Sequence, residues 1–96
     1  TMEEYKNEWI VTDPGCNQRY RQISKFVFEF EEDRILDPVT KETYLYTDEV
    51  DLECYTPDEI IDCCSSFGYP KDEVLGWITN GRNLALIAEC IFEMST

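Results

Sequence analysis

Ninety-six residues, 43 % of them hydrophobic and 14 % aromatic, suffice for one small domain with a modest core, since a chain of this length buries only about 60–65 % of what its unfolded form exposes. Histidine is absent, which excludes imidazole chemistry: His-based triads, His-ligated zinc and a His proton switch. Asp and Glu outnumber Lys and Arg 21 to 8, a formal charge of −13, so nucleic acid and anionic membranes are poor partners and a basic protein surface is a good one.

In chain order, Met2 reads as the initiator and Thr1 as a remnant ahead of it. Trp9 to Thr12 is short, apolar and β-branched, which predicts a strand ended by the turn residues Asp13-Pro14-Gly15. From Ile23 the pattern alternates. Phe26, Phe28 and Phe30 fall on one face, and Val27, Glu29 and Glu31 on the other, the period of a half-buried strand. Asp37-Pro38-Val39-Thr40-Lys41 predicts a turn. Thr43 to Leu52 then alternates again, Tyr44, Tyr46, Val50 and Leu52 against Leu45, Thr47, Glu49 and Asp51, so the two strands form an antiparallel hairpin.

Helical signals follow. Thr56-Pro57-Asp58-Glu59 combines an N-cap Thr, a Pro at the first helical position and Glu at the third, the pattern of a capping box. Ile60, Cys63, Cys64 and Phe67 recur at helical spacing, with Gly68 and Pro70 as stop signals. A second helix is predicted from about Lys71 to Thr79 with Val74, Leu75 and Ile78 inward, broken by Asn80-Gly81. A third runs from about Arg82 to Met94 with Leu84, Ile87, Ala88 and Ile91 as its apolar stripe. The expectation is one α+β domain over 1–96, a small three-stranded antiparallel sheet within 8–53 packed against a three-helix unit within 56–94. The Phe and Tyr rows face the helices. The opposite face carries Glu29, Glu31 and Asp33 beside Glu49, Asp51 and Glu53.

The charge is uneven. Residues 1–25 hold four acids and four bases, residues 26–62 thirteen acids and two bases, and residues 63–96 four acids and two bases. The middle stretch, net −11, is where a partner surface is sought. Alternate strand residues lie about 6.6 Å apart and neighbouring strands about 4.8 Å. Two carboxylate rows at that spacing resemble a nucleic-acid backbone, with one charge per roughly 3.4 Å along each strand. Opposed like charges destabilise a hairpin, so such a concentration points to use. The candidate partner-binding residues are Glu29, Glu31, Glu32, Asp33, Asp48, Glu49, Asp51, Glu53, Asp58, Glu59 and Asp62. Arg19, Arg21 and Lys25, just ahead of them, are expected to neutralise neighbouring carboxylates of the same domain.

Other chemistries find little support. Thr47 to Glu53 lacks the glycine and spacing of a calcium loop. The cysteines, Cys16, Cys54, Cys63, Cys64 and Cys90, are odd in number and contain no Cys-x-x-Cys pair, which predicts reduced, mostly buried thiols in a cytoplasmic protein rather than a disulfide scaffold or a zinc site. No phosphate-cradling Gly loop or Gly-x-Ser-x-Gly elbow is present. No catalytic residue, metal or cofactor is expected.

Two resemblances stand beside these readings. In size, acidity and charge pattern the whole chain resembles the anti-CRISPR and antirestriction proteins that phages and mobile elements encode against host nucleases. That likeness implies a non-enzymatic inhibitor whose acidic surface occupies the basic channel of a nuclease or CRISPR effector, with no direct nucleic-acid or membrane contact. The last third, Ile60-Ile61, Phe67-Gly68-Tyr69, Val74-Leu75, Ile78, Asn83-Leu84, Ile87-Ala88 and Ile91, resembles a ubiquitin-associated domain, which implies three packed helices. The alternative to the acidic mimic is a regulatory or adaptor module that binds through the helical face near Phe67, Tyr69 and Trp77. A helix-turn-helix reading of the last two helices fails, because Arg82 is the single base of the would-be recognition helix against Glu89 and Glu93.

Overall fold

A computed structural model describes residues 8–13 and 18–95, without the side chains of residues 12, 13, 18, 33 and 34. The expected turn at Pro14-Gly15, Cys16 and the first two residues lie outside the described ones. The chain is α+β and divides into two compact units, 1–49 and 50–96.

The described residues form four strands, β1 (Ile10–Asp13), β2 (Gln18–Gln22), β3 (Val27–Leu36) and β4 (Thr43–Asp51), ordered β1-β2-β3-β4, all in the first unit but for the last two residues of β4. The expectation of three strands is corrected: β2 was not anticipated. Its sequence, Gln-Arg-Tyr-Arg-Gln, offers a single apolar residue, so hydrophobic alternation has nothing to register. Partners hold it instead. Ile10 and Phe30 flank Tyr20 in register, and Glu29 lies opposite Arg21. The Tyr20 ring lies 6.2 Å from that of Phe28 and 5.8 Å from that of Phe30, within the range of favourable aromatic pairs. Phe28 and Phe30 are fully buried. Phe26 falls outside β3, in the bend before it, with the Lys25 ammonium 5.3 Å from its ring.

The turn between β3 and β4 forms where expected. The Asp37 carboxylate accepts the Val39 and Thr40 N–H groups at 2.8 and 3.2 Å, and the Asp37 N–H donates to the Glu42 carbonyl at 2.8 Å. Those amide donors hold the Asp37 carboxyl below its ordinary pKa. Along β4 the expectation of a buried Tyr row is overturned: Thr43 to Glu49 are all exposed, and burial begins only at Val50. The strand lies at the sheet margin among the described residues.

In the second unit the last two residues of β4 lead into a 3₁₀ turn, Leu52–Cys54, followed by α1 (Pro57–Ser66), α2 (Lys71–Asn80) and α3 (Leu84–Ser95). The capping box is present: Thr56 Oγ1 accepts the Glu59 N–H at 3.2 Å and the Glu59 carboxylate accepts the Thr56 N–H at 2.9 Å. Gly68, at φ +95°, closes α1, with the Tyr69 N–H donating to the Cys64 carbonyl at 3.2 Å. Gly81, at φ +64°, closes α2, with the Arg82 N–H donating to the Trp77 carbonyl at 2.9 Å. α1 packs against both α2 and α3. Val50, Leu52, Ile60, Cys64, Val74, Ile87, Ala88, Cys90, Ile91 and Phe92 are its buried apolar residues. Leu75, expected inward, is instead exposed, and so is Phe67.

The cap yields a prediction. Thr56→Ala should destabilise the protein by about 1 kcal/mol in chemical unfolding. The Thr56 backbone N–H, and after it the Thr56 hydroxyl, hydrogen-bond the Glu59 carboxylate and hold it below its ordinary value of 4.5. A carboxyl whose folded pKa is depressed stabilises above its unfolded pKa and loses that contribution as pH falls through the folded one. The gap between wild type and Glu59→Ala should therefore be full at pH 7 and close in titrations well below pH 4.5.

Candidate functional site

The expected carboxylates fall into two groups. Glu29, Glu31, Glu32, Asp48 and Glu49 belong to the sheet unit, and Asp51, Glu53, Asp58, Glu59 and Asp62 to the helical unit. Asp33 is in β3 by its backbone, and its side chain lies outside the described ones.

Within the sheet unit the acids are not equivalent. Arg21 donates to Glu29 at 2.9 Å across the β2–β3 ladder, and Arg19 pairs with Glu31. All four side chains are partly buried. Both guanidinium groups also lie over the Trp9 ring, at 5.3 Å for Arg19 and 4.9 Å for Arg21, a contact worth about 0.5–1 kcal/mol at partly exposed sites. The expectation that Arg19 and Arg21 neutralise carboxylates of the same domain therefore holds in the structure. It also corrects the uniform acidic face. Glu29 and Glu31 are spent within the sheet, and their removal would leave two cations stacked against one indole. Glu32, Asp48 and Glu49 are exposed.

In the helical unit Asp51 accepts the Glu53 N–H at 3.0 Å and caps the 3₁₀ turn, while Glu59 serves the capping box. Glu53, Asp58 and Asp62 are exposed. Asp58 and Asp62 stand four residues apart, so they share one side of α1, a like-charge spacing that costs an isolated helix about 0.2–0.5 kcal/mol. The helix N-terminus offsets this for Asp58 and less so for Asp62, a turn further on.

No group of three or more His, Cys, Asp or Glu side chains is placed to hold a metal among the described residues. The thiols sort by burial. Cys64 and Cys90 are buried and hydrogen-bonded to each other, and burial pushes the Cys90 thiol up to about 12. Cys63 is also raised by burial, whereas Cys54 is exposed. Because the thiolate is the nucleophile, alkylation of the native protein at pH 8 followed by mass spectrometry should, among the four described thiols, label Cys54 first and Cys63 slowly. Cys64 and Cys90 should react only after denaturant is added.

Two surfaces escaped the charge-based reading. Phe67, Tyr69, Leu86, Glu89, Cys90 and Glu93 line a cavity of about 140 Å³ in the helical unit, and Tyr69 meets Trp77 edge-on at 5.6 Å between ring centroids. On the sheet unit Tyr44, Leu45 and Tyr46 are 47 %, 40 % and 55 % exposed, near the exposed Ile35, Leu36 and Val39 in sequence. The signal for the second was present: Tyr-Leu-Tyr is apolar on both parities of the strand, which a half-buried strand does not need. No described helix is long and apolar enough to cross a membrane. No protein-family model, curated protein or solved structure matches this chain.

Proposed function

We propose that this chain is a non-enzymatic, protein-binding inhibitor of the anti-CRISPR or antirestriction kind, which works in the host cytoplasm by occupying the basic groove of a nuclease or CRISPR effector. One observation carries the reading. Between Lys41 and Lys71 the chain has no Lys or Arg and eight acids: Glu42, Asp48, Glu49, Asp51, Glu53, Asp58, Glu59 and Asp62. None of the eight is in an ion pair among the described residues. Glu29 and Glu31, which have cationic partners, are left out of this set; the eight have their countercharge to find in a partner. A row of uncompensated carboxylates raises the encounter rate with a basic groove and excludes acidic partners. Contacts of apolar side chains then set the residence time.

The experiment is capture from bacterial lysate on the immobilised chain, elution along a salt gradient and identification by mass spectrometry. A basic nucleic-acid-binding protein released at moderate salt and displaced by added DNA supports the proposal. A retained protein that is neutral or acidic and resists salt overturns it. That outcome would favour a second reading, an adaptor that binds through the helical face, for which the exposed Phe67 lining the cavity speaks.

A further inference from the structure

Phe67 caps the end of α1, and Tyr69 follows across Gly68, whose φ of +95° turns the chain. Leu86, Glu89, Cys90 and Glu93 share one face of α3 by their spacing. These six residues line the cavity of about 140 Å³ in the helical unit, close to the ~150 Å³ that holds a benzene in an engineered protein core. Cys90 is buried, Tyr69, Leu86 and Glu89 are half-buried, and Phe67 and Glu93 are exposed, so a side chain can enter from solvent. The Tyr69 ring is braced edge-on by Trp77 at 5.6 Å.

Two properties of the lining choose an occupant. Phe67, Tyr69 and Leu86 supply aromatic and aliphatic surface, and Glu89 and Glu93 supply two carboxylates one helical turn apart. Burial foremost, and the Glu89 charge among the lesser causes, raise the Tyr69 phenol and the Cys90 thiol above their ordinary pKa, so the field of that carboxylate reaches the lining. An anion is repelled there. A neutral apolar group gains from the rings and nothing from the carboxylates. A guanidinium gains from both: its plane packs on aromatic faces, and its fork donates to carboxylates, each of which can accept further hydrogen bonds beside the contacts it already makes. The sheet unit holds a guanidinium by the same two contacts, Arg21 lying 4.9 Å over the Trp9 ring and donating to Glu29 at 2.9 Å. We propose that the cavity is a binding site for an arginine side chain of the partner protein, its stem against Phe67 and Leu86 and its guanidinium against Tyr69 and the Glu89 and Glu93 carboxylates. The inference goes beyond the acidic docking reading, because none of the eight carboxylates of that reading lines the cavity.

The test titrates the isotope-labelled full chain with Nα-acetyl-arginine methylamide and, in parallel, with the citrulline analogue, which keeps the shape and loses the charge. Amide chemical shifts are followed by NMR. Saturable shifts within 67–69 and 86–93 are expected, with a dissociation constant on the order of 1 mM for so small a probe. Citrulline should bind about tenfold more weakly, since charge-assisted hydrogen bonds are roughly twice as strong as neutral ones. A Glu89→Gln, Glu93→Gln double variant with a native circular dichroism spectrum should lose the preference for arginine, and Phe67→Ala should weaken both probes. Equal affinity of the wild type for the two probes overturns the proposal. So do arginine shifts that gather on the acidic residues of β4 and α1 instead, or no saturable shift at about ten times the expected constant. The acidic docking reading survives each of these results, so the two fail separately.

Discussion

Converting Asp48, Glu49 and Glu53 together to Lys is expected to abolish retention of the basic partner while leaving the fold intact. The three side chains are exposed and make no hydrogen bond or ion pair among the described residues. Asp51 is deliberately kept, because its carboxylate caps the turn that follows it. The formal charge moves from −13 to −7, three reversals of two units each. An exposed ion pair is worth about 0.2–1 kcal/mol, and reversal replaces that attraction with a repulsion of similar size. Three reversals therefore remove roughly 1–6 kcal/mol of binding, a loss of about tenfold or more. Circular dichroism and thermal melting should show a native fold at equal or slightly higher stability, because self-repulsion has fallen. Unchanged retention in a folded variant would eliminate the acidic surface as the docking element.

The second large effect separates two residues that periodicity places together. Ile87 is 0 % exposed and Leu75 is 48 % exposed. Ile87→Ala should cost about 2–5 kcal/mol, because the atoms removed leave a cavity among the buried side chains of the helical unit. Against a total stability of about 5–15 kcal/mol for a domain this small, that is enough to unfold a substantial fraction near physiological temperature. Leu75→Ala removes a similar number of carbons from the surface and should cost under about 1 kcal/mol. Parallel urea titrations decide the matter. Equal losses at the two sites would mean that the faces of α2 and α3 are not those described.

That contrast marks the limit of what the chain discloses in one dimension. Helix starts and stops were legible because their chemistry is local: Thr56 with Glu59, Gly68 and Gly81 each act within a few residues. The turn at Asp37 was legible for the same reason. Which side of α2 is buried depends on where α1 lies, so Leu75 and Val74 look alike until the packing is known. β2 was illegible because its stability comes from residues distant in sequence, Trp9 on one side and Glu29 and Glu31 on the other. The candidate site divides along the same line. The concentration of acids was countable, but which of them are already paired was decided by a strand that alternation could not find. The tyrosines of β4 show the converse case, a regular pattern whose burial no neighbouring element completes.

The placement of the two tryptophans gives the molecule a pair of built-in reporters. Trp9 lies in the sheet unit beneath two guanidinium groups, and Trp77 lies in the helical unit against Tyr69. The cations of one site and the phenol of the other give the two indoles different emission environments. Trp77→Phe leaves fluorescence that follows the sheet alone, and Trp9→Phe leaves fluorescence that follows the helices alone. Superimposed denaturation curves from the two variants would make the units one cooperative folding system; separated midpoints would make them two, each able to loosen while the other persists.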